Sequence, residues 1–303
     1  MDINRTNMQT LFTGFNMLFK DAFQSYLDTT YTKFTMEVNA GTSQIDMPML
    51  EQLSGMREWI DVREIKNMSS KKLTIIPRVF EETVGVKRED VEDDQYGLYN
   101  ALFQTMAMNA ANLPNDLANE LLSGAASATW ADGADFFGTS RKYGKNTISN
   151  KGTAALSFDS FNTAYDTMRA YKGHGNKPLG VRPSLLIHGP ALRTTVADVI
   201  KAPFRSVAVG DNAAVTLPNP NANIVETLEV EGITNNDWFL ADTRKPYKPV
   251  LLFMRKKADR LVRLDREEDE NVFMNRQFIY GTDGRAEAAF ALPHLIYFSD
   301  VAG

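Results

Sequence analysis

Apolar residues recur at spacings of three and four from Asn4 to Thr30: Leu11, Phe15, Leu18, Phe19, Ala22 and Phe23, with Tyr26 and Leu27 beyond. Such spacing places them on one face of a helix. A terminal helix with a bulky aromatic stripe must dock on something, either its own body or a neighbouring chain, and the pattern leaves that choice open. A longer helical face runs through Leu98, Leu102, Met106, Ala110, Leu113, Leu117 and Leu121. It is sustained over several turns, and a helix from Asp94 to Ser123 would span about 45 Å at ~1.5 Å per residue. Glu89, Asp90, Glu92, Asp93 and Asp94 precede it, where carboxylates suit the positive end of the helix dipole, and Gly124 ends it. Pro114 inside this face predicts a kink or break near Leu113.

Between the two helices the pattern becomes strand-like. Glu58–Ile65 and Lys72–Pro77 are short runs rich in β-branched residues, flanking the polar Asn67–Lys71. This reads as a hairpin with long arms. Asp61, Arg63, Glu64, Lys66, Lys71 and Lys72 give it so many charges that it should be poorly buried within its own subunit. An ordinary edge hairpin fits the pattern equally well.

Residues 125–152 are rich in Gly, Asp and Asn and read as an extended loop, with Asp132-Gly133 a turn. An α/β rhythm follows. Phe158, Phe161, Tyr165 and Met168 mark a helix after Ser157, stopped by Gly173-His174-Gly175. Ser184–Ile187 is a short buried strand, and Pro190 opens a helix whose Leu192, Val196, Val199 and Ile200 share a face. Asp211–Asn223 reads as a polar loop, and strands are expected at Ile224–Val230, Trp238–Ala241, Val250–Met254 and Val272–Tyr280. Asp283-Gly284 is a turn signal, and the whole chain is α+β.

Composition narrows the function. The chain has 303 residues and no cysteine, so disulfides, thiolate nucleophiles and sulfur-based zinc sites are excluded. His174, His188 and His294 are its only histidines, too few for a convincing histidine metal centre. The excess of 38 Asp+Glu over 33 Lys+Arg argues against a dedicated DNA-binding protein. The start, MDINRTNMQTLF, lacks a basic leader followed by an apolar core, and no run approaches a membrane span. A soluble, intracellular protein without metal is the expectation.

Chemistry is hard to find. Phosphate-binding loops of the GxxxxGK[ST] type, GxGxxG fingerprints and GxSxG elbows are missing. His188 at a strand end is the best-placed general base, although a lone histidine there is usually structural. Arg266-Glu267-Glu268-Asp269-Glu270 could pair carboxylates, but such a run more often solvates a loop. Arg255-Lys256-Lys257, with Arg260, Arg263 and Arg266 beyond, could touch phosphate; their nearness to the acidic run suggests complementary charges within or between subunits. The acidic residues before the long helix lack the alternating ligands and central glycine of a calcium loop. The features that stand out are interaction features.

Several segments, in order, carry a resemblance. They are Met56–Arg63, Phe80–Val86, Asp90–Asp94 with Gly97 and Tyr99, and Asp132-Gly133 with Phe136-Phe137. Trp238–Asp242, Lys248-Pro249, Asn271–Met274 and Phe278–Gly281 continue it. Together they resemble the major head (capsid) subunits of Mu-like tailed bacteriophages, the gpT type. Arg182–Phe204 is similar to the strand-then-helix unit of capsid and encapsulin shells. Asp61 stands where family members often have Gly.

The resemblance implies the tailed-phage major capsid fold: an N-terminal arm over 1–40, an extended loop over 41–77, and a peripheral domain over 78–155 with a spine helix over 94–123. An axial domain over 156–241 and return strands over 242–303 complete it. It implies hexamers and pentamers closing into an icosahedral shell around double-stranded DNA, assembled in the bacterial host cytoplasm. Portal, scaffolding and possibly decoration proteins would be partners, scaffold being either already cleaved or separate; no cofactor, metal, membrane or catalytic residue is implied. Contacts between subunits would fall on Arg57, Glu58, Trp59, Arg63, Lys71 and Lys72 of the loop and on Phe15 and Phe19 of the arm. An encapsulin-like nanocompartment shell and a soluble α/β enzyme are the competing readings.

Overall fold

The strand Gln277–Phe290 pairs along both of its edges and gathers residues far apart in the chain. In the computed structural model, residues 3–39, 41, 45–48, 72–93, 95–143, 146–173, 176–208 and 214–301 are described. The chain begins with α1 (Arg5–Ser25), β1 (Thr35–Asn39), β2 (Ile45–Pro48), β3 (Lys72–Ile75), β4 (Arg78–Lys87), α2 (Arg88–Glu92) and α3 (Asn100–Ser123). Then come β5 (Arg141–Tyr143), β6 (Asn146–Ile148), β7 (Lys151–Gly152), α4 (Phe158–Arg169), β8 (Leu185–His188), α5 (Arg193–Val196), β9 (Phe204–Ala208) and β10 (Ala214–Pro218). The last third holds β11 (Glu226–Glu229), β12 (Trp238–Ala241), β13 (Val250–Lys256), β14 (Val262–Leu264), α6 (Glu270–Asn275), β15 (Gln277–Phe290) and β16 (Ile296–Ser299).

The first sheet runs β1-β13-β15-β14, with β4 along the other edge of β15. Strand β4 alternates as a half-buried strand should: Val84 and Val86 turn inward, while Val79, Glu81, Thr83 and Gly85 face out. Helix α3 covers the inner face, and α1 lies on α3. The second sheet runs β11-β8-β12-β16-β7. Its two faces feed different clusters. Leu186, Trp238 and Leu240 pack with Phe161 and Met168 of α4 and with Leu192 and Val196, whereas Leu185, Ile187, Phe239 and Phe298 join the main core. Phe136, Phe137 and Phe290 stack between the two sheets, with Phe136 and Phe290 at 4.7 Å. Helix α4 starts at a capping box: the Ser160 N–H donates to Ser157 Oγ at 3.1 Å and the Ser157 N–H to Ser160 Oγ at 2.8 Å.

Several expectations are corrected. Strand β3 pairs with β2, Ile75 opposite Ile45, whereas Glu58–Ile65 lie outside the described residues. Leu73 and Ile75 sink into the main core, so the base of the loop is buried despite its charges. The spine helix begins at Asn100, after a turn of 3-10 helix, and has no acid in its first turn; Glu89, Asp90 and Glu92 lie in α2. Its buried face is Phe103, Met106, Ala107, Ala111, Leu117, Ala118 and Leu122, so the true stripe is rotated from the expected one and Leu98 and Leu102 are exposed. Small alanines serve this seam because α1 and β15 press on it from both sides. The helix continues through Pro114 rather than breaking.

Residues 125–152 hold three short strands, and Ala214–Pro218 is a strand within the expected polar loop. Helix α4 ends at Arg169, ahead of Gly173, and α6 occupies the first half of the expected Val272–Tyr280 strand. Asp283-Gly284 is not a turn; it lies inside β15, with Gly284 opposite Phe80. A Cβ on Gly284 would come within 3.2 Å of Ala258 Cβ and 3.3 Å of Leu113 Cδ2, so this glycine serves close packing. Strand β16 pairs with β12 and β7 in the second sheet.

Among the described glycines, Gly189 leaves the least room against neighbouring backbone: a Cβ there would stand 1.9 Å from Ile233 O. Gly189→Ala should lower stability by about 3 kcal/mol, read as a shift in the urea midpoint. A midpoint unchanged from the parent would show that the Ile233 loop yields freely.

His294 lies between β15 and β16, and burial, helped by Lys245 and opposed by Asp242, pulls its imidazole down to about 4. An unfolded histidine titrates near 6.5, so between those values the unfolded chain binds a proton that the folded chain does not. Stability is therefore full above pH ~6.5 and falls by about 3 kcal/mol as pH drops to ~4. Urea titrations across this window should show the loss, and His294→Gln should flatten it.

Candidate assembly surface

The arm is fastened to its own subunit. Met8, Leu11, Phe15, Phe19, Ala22 and Phe23 of α1 enter one cluster with Phe103, Met106 and Ala107 of α3 and with Phe278 and Tyr280 of β15. The Phe15 ring stacks on Phe103 at 4.2 Å and meets Tyr280 edge-on at 5.5 Å. Arg263 of β14 lies over the Phe12 ring at 4.3 Å, donates to Gln9 Oε1, and donates to Asp265 Oδ2 at 3.1 Å. Phe15 and Phe19 are 3% and 0% exposed, which corrects their expected place as contacts for a neighbour: they fill this subunit's core.

The base of the loop is clamped by one arginine. Arg78, the first residue of β4, donates to both oxygens of Glu120 on α3 at 3.0 and 2.8 Å, and to Glu287 on β15 at 2.6 and 3.2 Å. The hydrogen bonds from Arg78 hold the Glu120 carboxyl below its ordinary range. Beside the clamp, Ile76 and Val79 are left exposed. Lys72 opens β3 in register with Pro48. Arg57, Glu58, Trp59, Arg63 and Lys71 lie outside the described residues.

Large apolar side chains without cover mark three further places. Phe273 is 80% exposed on α6, with Met274 beside it and Val262 and Leu264 on the neighbouring β14. Asn271 ties the two elements together by donating to Leu264 O at 3.1 Å and Gln277 O at 2.6 Å. The two-stranded ribbon β9–β10 presents Phe204, Val215 and Leu217 to solvent. It is rooted by Asn219, which donates to Val199 O at 3.0 Å and Ala202 O at 2.9 Å, and by Arg205 over the Phe158 ring at 3.9 Å. Near the start of α3, Leu98 and Leu102 are bare. A pattern search could have flagged Phe273-Met274, a bulky pair amid the polar run Glu267–Arg276; the Arg78 clamp left no signal, since its partners are 42 and 209 residues away.

The sequence candidates for chemistry do not converge. His188 is buried, with Nδ1 2.9 Å from Gly189 O, and serves the strand end. The acidic run lies beside the start of α1, along a cleft of about 910 Å³, and Asp269 accepts from the Arg266 N–H at 2.8 Å. Three members of the basic run are paired inside the subunit: Lys256 with Asp283, Lys257 with Glu37 at 3.3 Å, and Arg263 with Asp265. Among the described residues no group of His, Asp and Glu could hold a metal ion, and no helix is long and apolar enough to cross a membrane.

Two sheets, a long helix, a terminal arm and projecting ribbons with bare apolar tips make the fold of tailed-phage capsid subunits. The procapsid protein of bacteriophage JBD30 superposes with a TM-score of 0.56 at 24% identity, covering 98% of this chain and 76% of that one. A virus-like particle from Pyrococcus furiosus gives a TM-score of 0.53 at 10% identity, covering 95% of this chain and 99% of that one. The chain belongs to the Mu-like prophage major head subunit gpT family, whose model matches residues 8–155 and 214–302. It is similar to the major capsid protein of Escherichia phage Mu, 24% identical over 290 residues, or 96% of this chain and 72% of the relative. The Mu-like prophage FluMu major head subunit of Haemophilus influenzae is 22% identical over 284 residues, 93% of this chain and 70% of that one. Its role is therefore that of a major capsid subunit of a Mu-like phage.

Removing Phe15 should tell the docked arm from a loose one. Phe15→Ala is expected to cost about 3–5 kcal/mol in urea denaturation of the isolated subunit, whereas Leu98→Ser and Leu102→Ser should stay within about 0.5 kcal/mol. Equal, small losses from all three would mean that α1 contributes little to the subunit's own stability.

Proposed function

We propose that this subunit acts purely as a building block, forming hexamers and pentamers that close into an icosahedral shell around double-stranded DNA. Assembly takes place in the cytoplasm of the bacterial host, with portal, scaffolding and possibly decoration proteins as partners. The observation that carries this reading is the bare apolar surface on ribbons and edges. An isolated two-stranded ribbon is marginal in water, and apolar side chains held out on one find cover only on another chain. The net charge of −5 suits a container for DNA, since a basic lining would grip phosphates in a salt-sensitive way and hinder packing. The family match separates this reading from the nanocompartment, whose fold would be the same. The enzyme reading rested on His188 and a carboxylate run that do not meet.

The loop between β2 and β3 is proposed to reach over a neighbouring subunit, with Trp59 packing against it and Arg57, Glu58, Arg63, Lys71 and Lys72 making charge contacts. Leu73 and Ile75 belong to the main core and must be kept, so the informative variant replaces 49–71 by a short Gly/Ser link. Thermal melting should stay near that of the parent chain, while electron microscopy of the expressed protein shows no closed shells. Normal closed shells from this variant would sink the intersubunit role of the loop.

A further inference from the structure

A second surface, on the second sheet, is charged rather than apolar. Where β8 and β11 begin and α4 ends, a cleft of about 550 Å³ is lined by Arg169, Arg182 and Arg244 together with Tyr165, Ile224 and Glu226. Its construction centres on Asp242, which is fully buried. One Asp242 oxygen accepts from the Arg182 N–H at 2.8 Å; the other accepts from the Arg244 N–H at 3.1 Å and lies 3.4 Å from Arg244 Nε. Arg244 also donates to the Arg182 carbonyl. The same buried carboxylate thus sets the backbone of Arg182 and the guanidinium of Arg244 side by side. Arg169, at the end of α4, lies over the Tyr165 ring at 5.8 Å. Neither Arg169 nor Arg182 forms an ion pair with a described residue, unlike Arg78, Arg88, Arg141, Arg263 and Arg276.

We infer that this cleft receives a carboxylate-bearing segment of a second copy of this chain, forming a polar contact between subunits in the shell; the inference rests on the shell-forming role proposed above. Guanidinium forks bind carboxylates in paired hydrogen bonds, and arginine and tyrosine are the residues that anchor protein interfaces. The lining is mixed: Ile224 and the Tyr165 ring offer apolar contact, and Glu226 opposes any dense run of phosphates. That combination suits a polypeptide with one or two carboxylates better than a nucleic-acid backbone. The abundant source of such segments is the chain itself, with 38 acidic side chains against 33 basic ones. A patch of one sign meeting a segment of the other makes a head-to-tail contact, which repeats around a ring.

The test compares the full chain with R169E/R182E and with R193E/K201E, a control that reverses two exposed charges of the same region outside the cleft. Each is expressed in bacteria and followed by sedimentation, electron microscopy, thermal melting and the DNA content of any particles. R169E/R182E is expected to melt like the parent yet to form shells or ring oligomers at a yield lower by about tenfold or more, because a small loss per contact is multiplied over a shell. The control should assemble like the parent. Equal yields from R169E/R182E and the parent would overturn the inference while leaving the shell-forming role intact. Equal losses in both variants would also overturn it, as would R169E/R182E shells at parental yield but with less DNA, which would mark the cleft as a phosphate site. A parent chain forming neither shells nor oligomers would overturn the shell-forming role and this inference with it.

Discussion

The close packing of α3 against β15 is the constraint from which the rest of the subunit follows. Gly284 lets Leu113 lie where any side chain on the strand would push it away, while Tyr280 and Phe103 meet edge-on at 5.6 Å further along. With helix and strand held at this distance, the remaining partners of β15 have fixed seats: β4 along one edge, β13 and β14 along the other. The arm closes this cluster, because Phe103, Met106 and Ala107 of α3 and Phe278 and Tyr280 of β15 pack together with the aromatic stripe of α1. Burying a phenylalanine contributes about 1.5–3 kcal/mol, so the arm phenylalanines in this cluster supply a substantial part of what holds the arm in place.

What the subunit cannot bury is as informative as what it does. The arm, with a continuous aromatic stripe, finds cover at home. The β9–β10 ribbon and the α6–β14 corner do not, since each projects from a sheet whose faces are already occupied or too far away. Their bare side chains are scattered in small groups rather than joined in one large patch. Small patches give contacts of modest strength, and a closing shell needs contacts that can break and re-form before they are locked by their neighbours. A single large apolar face would instead favour a permanent dimer.

The sequence disclosed most where one periodicity had one partner. The α4 helix was legible because Ser157 caps it and Phe161 and Met168 share a face; β8 and β12 were legible as short apolar runs buried on both sides. It misled where two partners compete for one element. The α3 stripe was drawn through leucines, but two layers press on this helix and choose alanines, leaving Leu98 and Leu102 outside. Asp283-Gly284 has the composition of a turn and the job of a close contact; composition cannot tell these apart. Of the assembly surface, the loop and the ribbons were partly visible as charged or irregular stretches. The Arg78 clamp and the arginine cleft were not, since their members come from distant parts of the chain. A pattern of neighbours in sequence carries no trace of them.

Charge bookkeeping within the subunit sets the terms on which copies can meet. Copies that each carry −5 repel one another, but over a Debye length of about 8–10 Å at ordinary salt that repulsion is local. Some of the described basic side chains already have internal ion-pair partners, as with Arg141 on Asp132 at 2.7 Å and Lys151 on Asp300 at 2.9 Å. The cations without such a partner can offset a neighbour's carboxylates, and the places where they gather acquire weight. An approach that brings two acidic surfaces together is penalised; one that brings an acidic surface to free guanidinium groups is favoured. Apolar contacts are indifferent to that orientation, because burial of area has no direction. In a shell of identical, acidic subunits, the apolar ribbons can supply attraction while clustered arginines without an internal ion pair select the angle at which it is used.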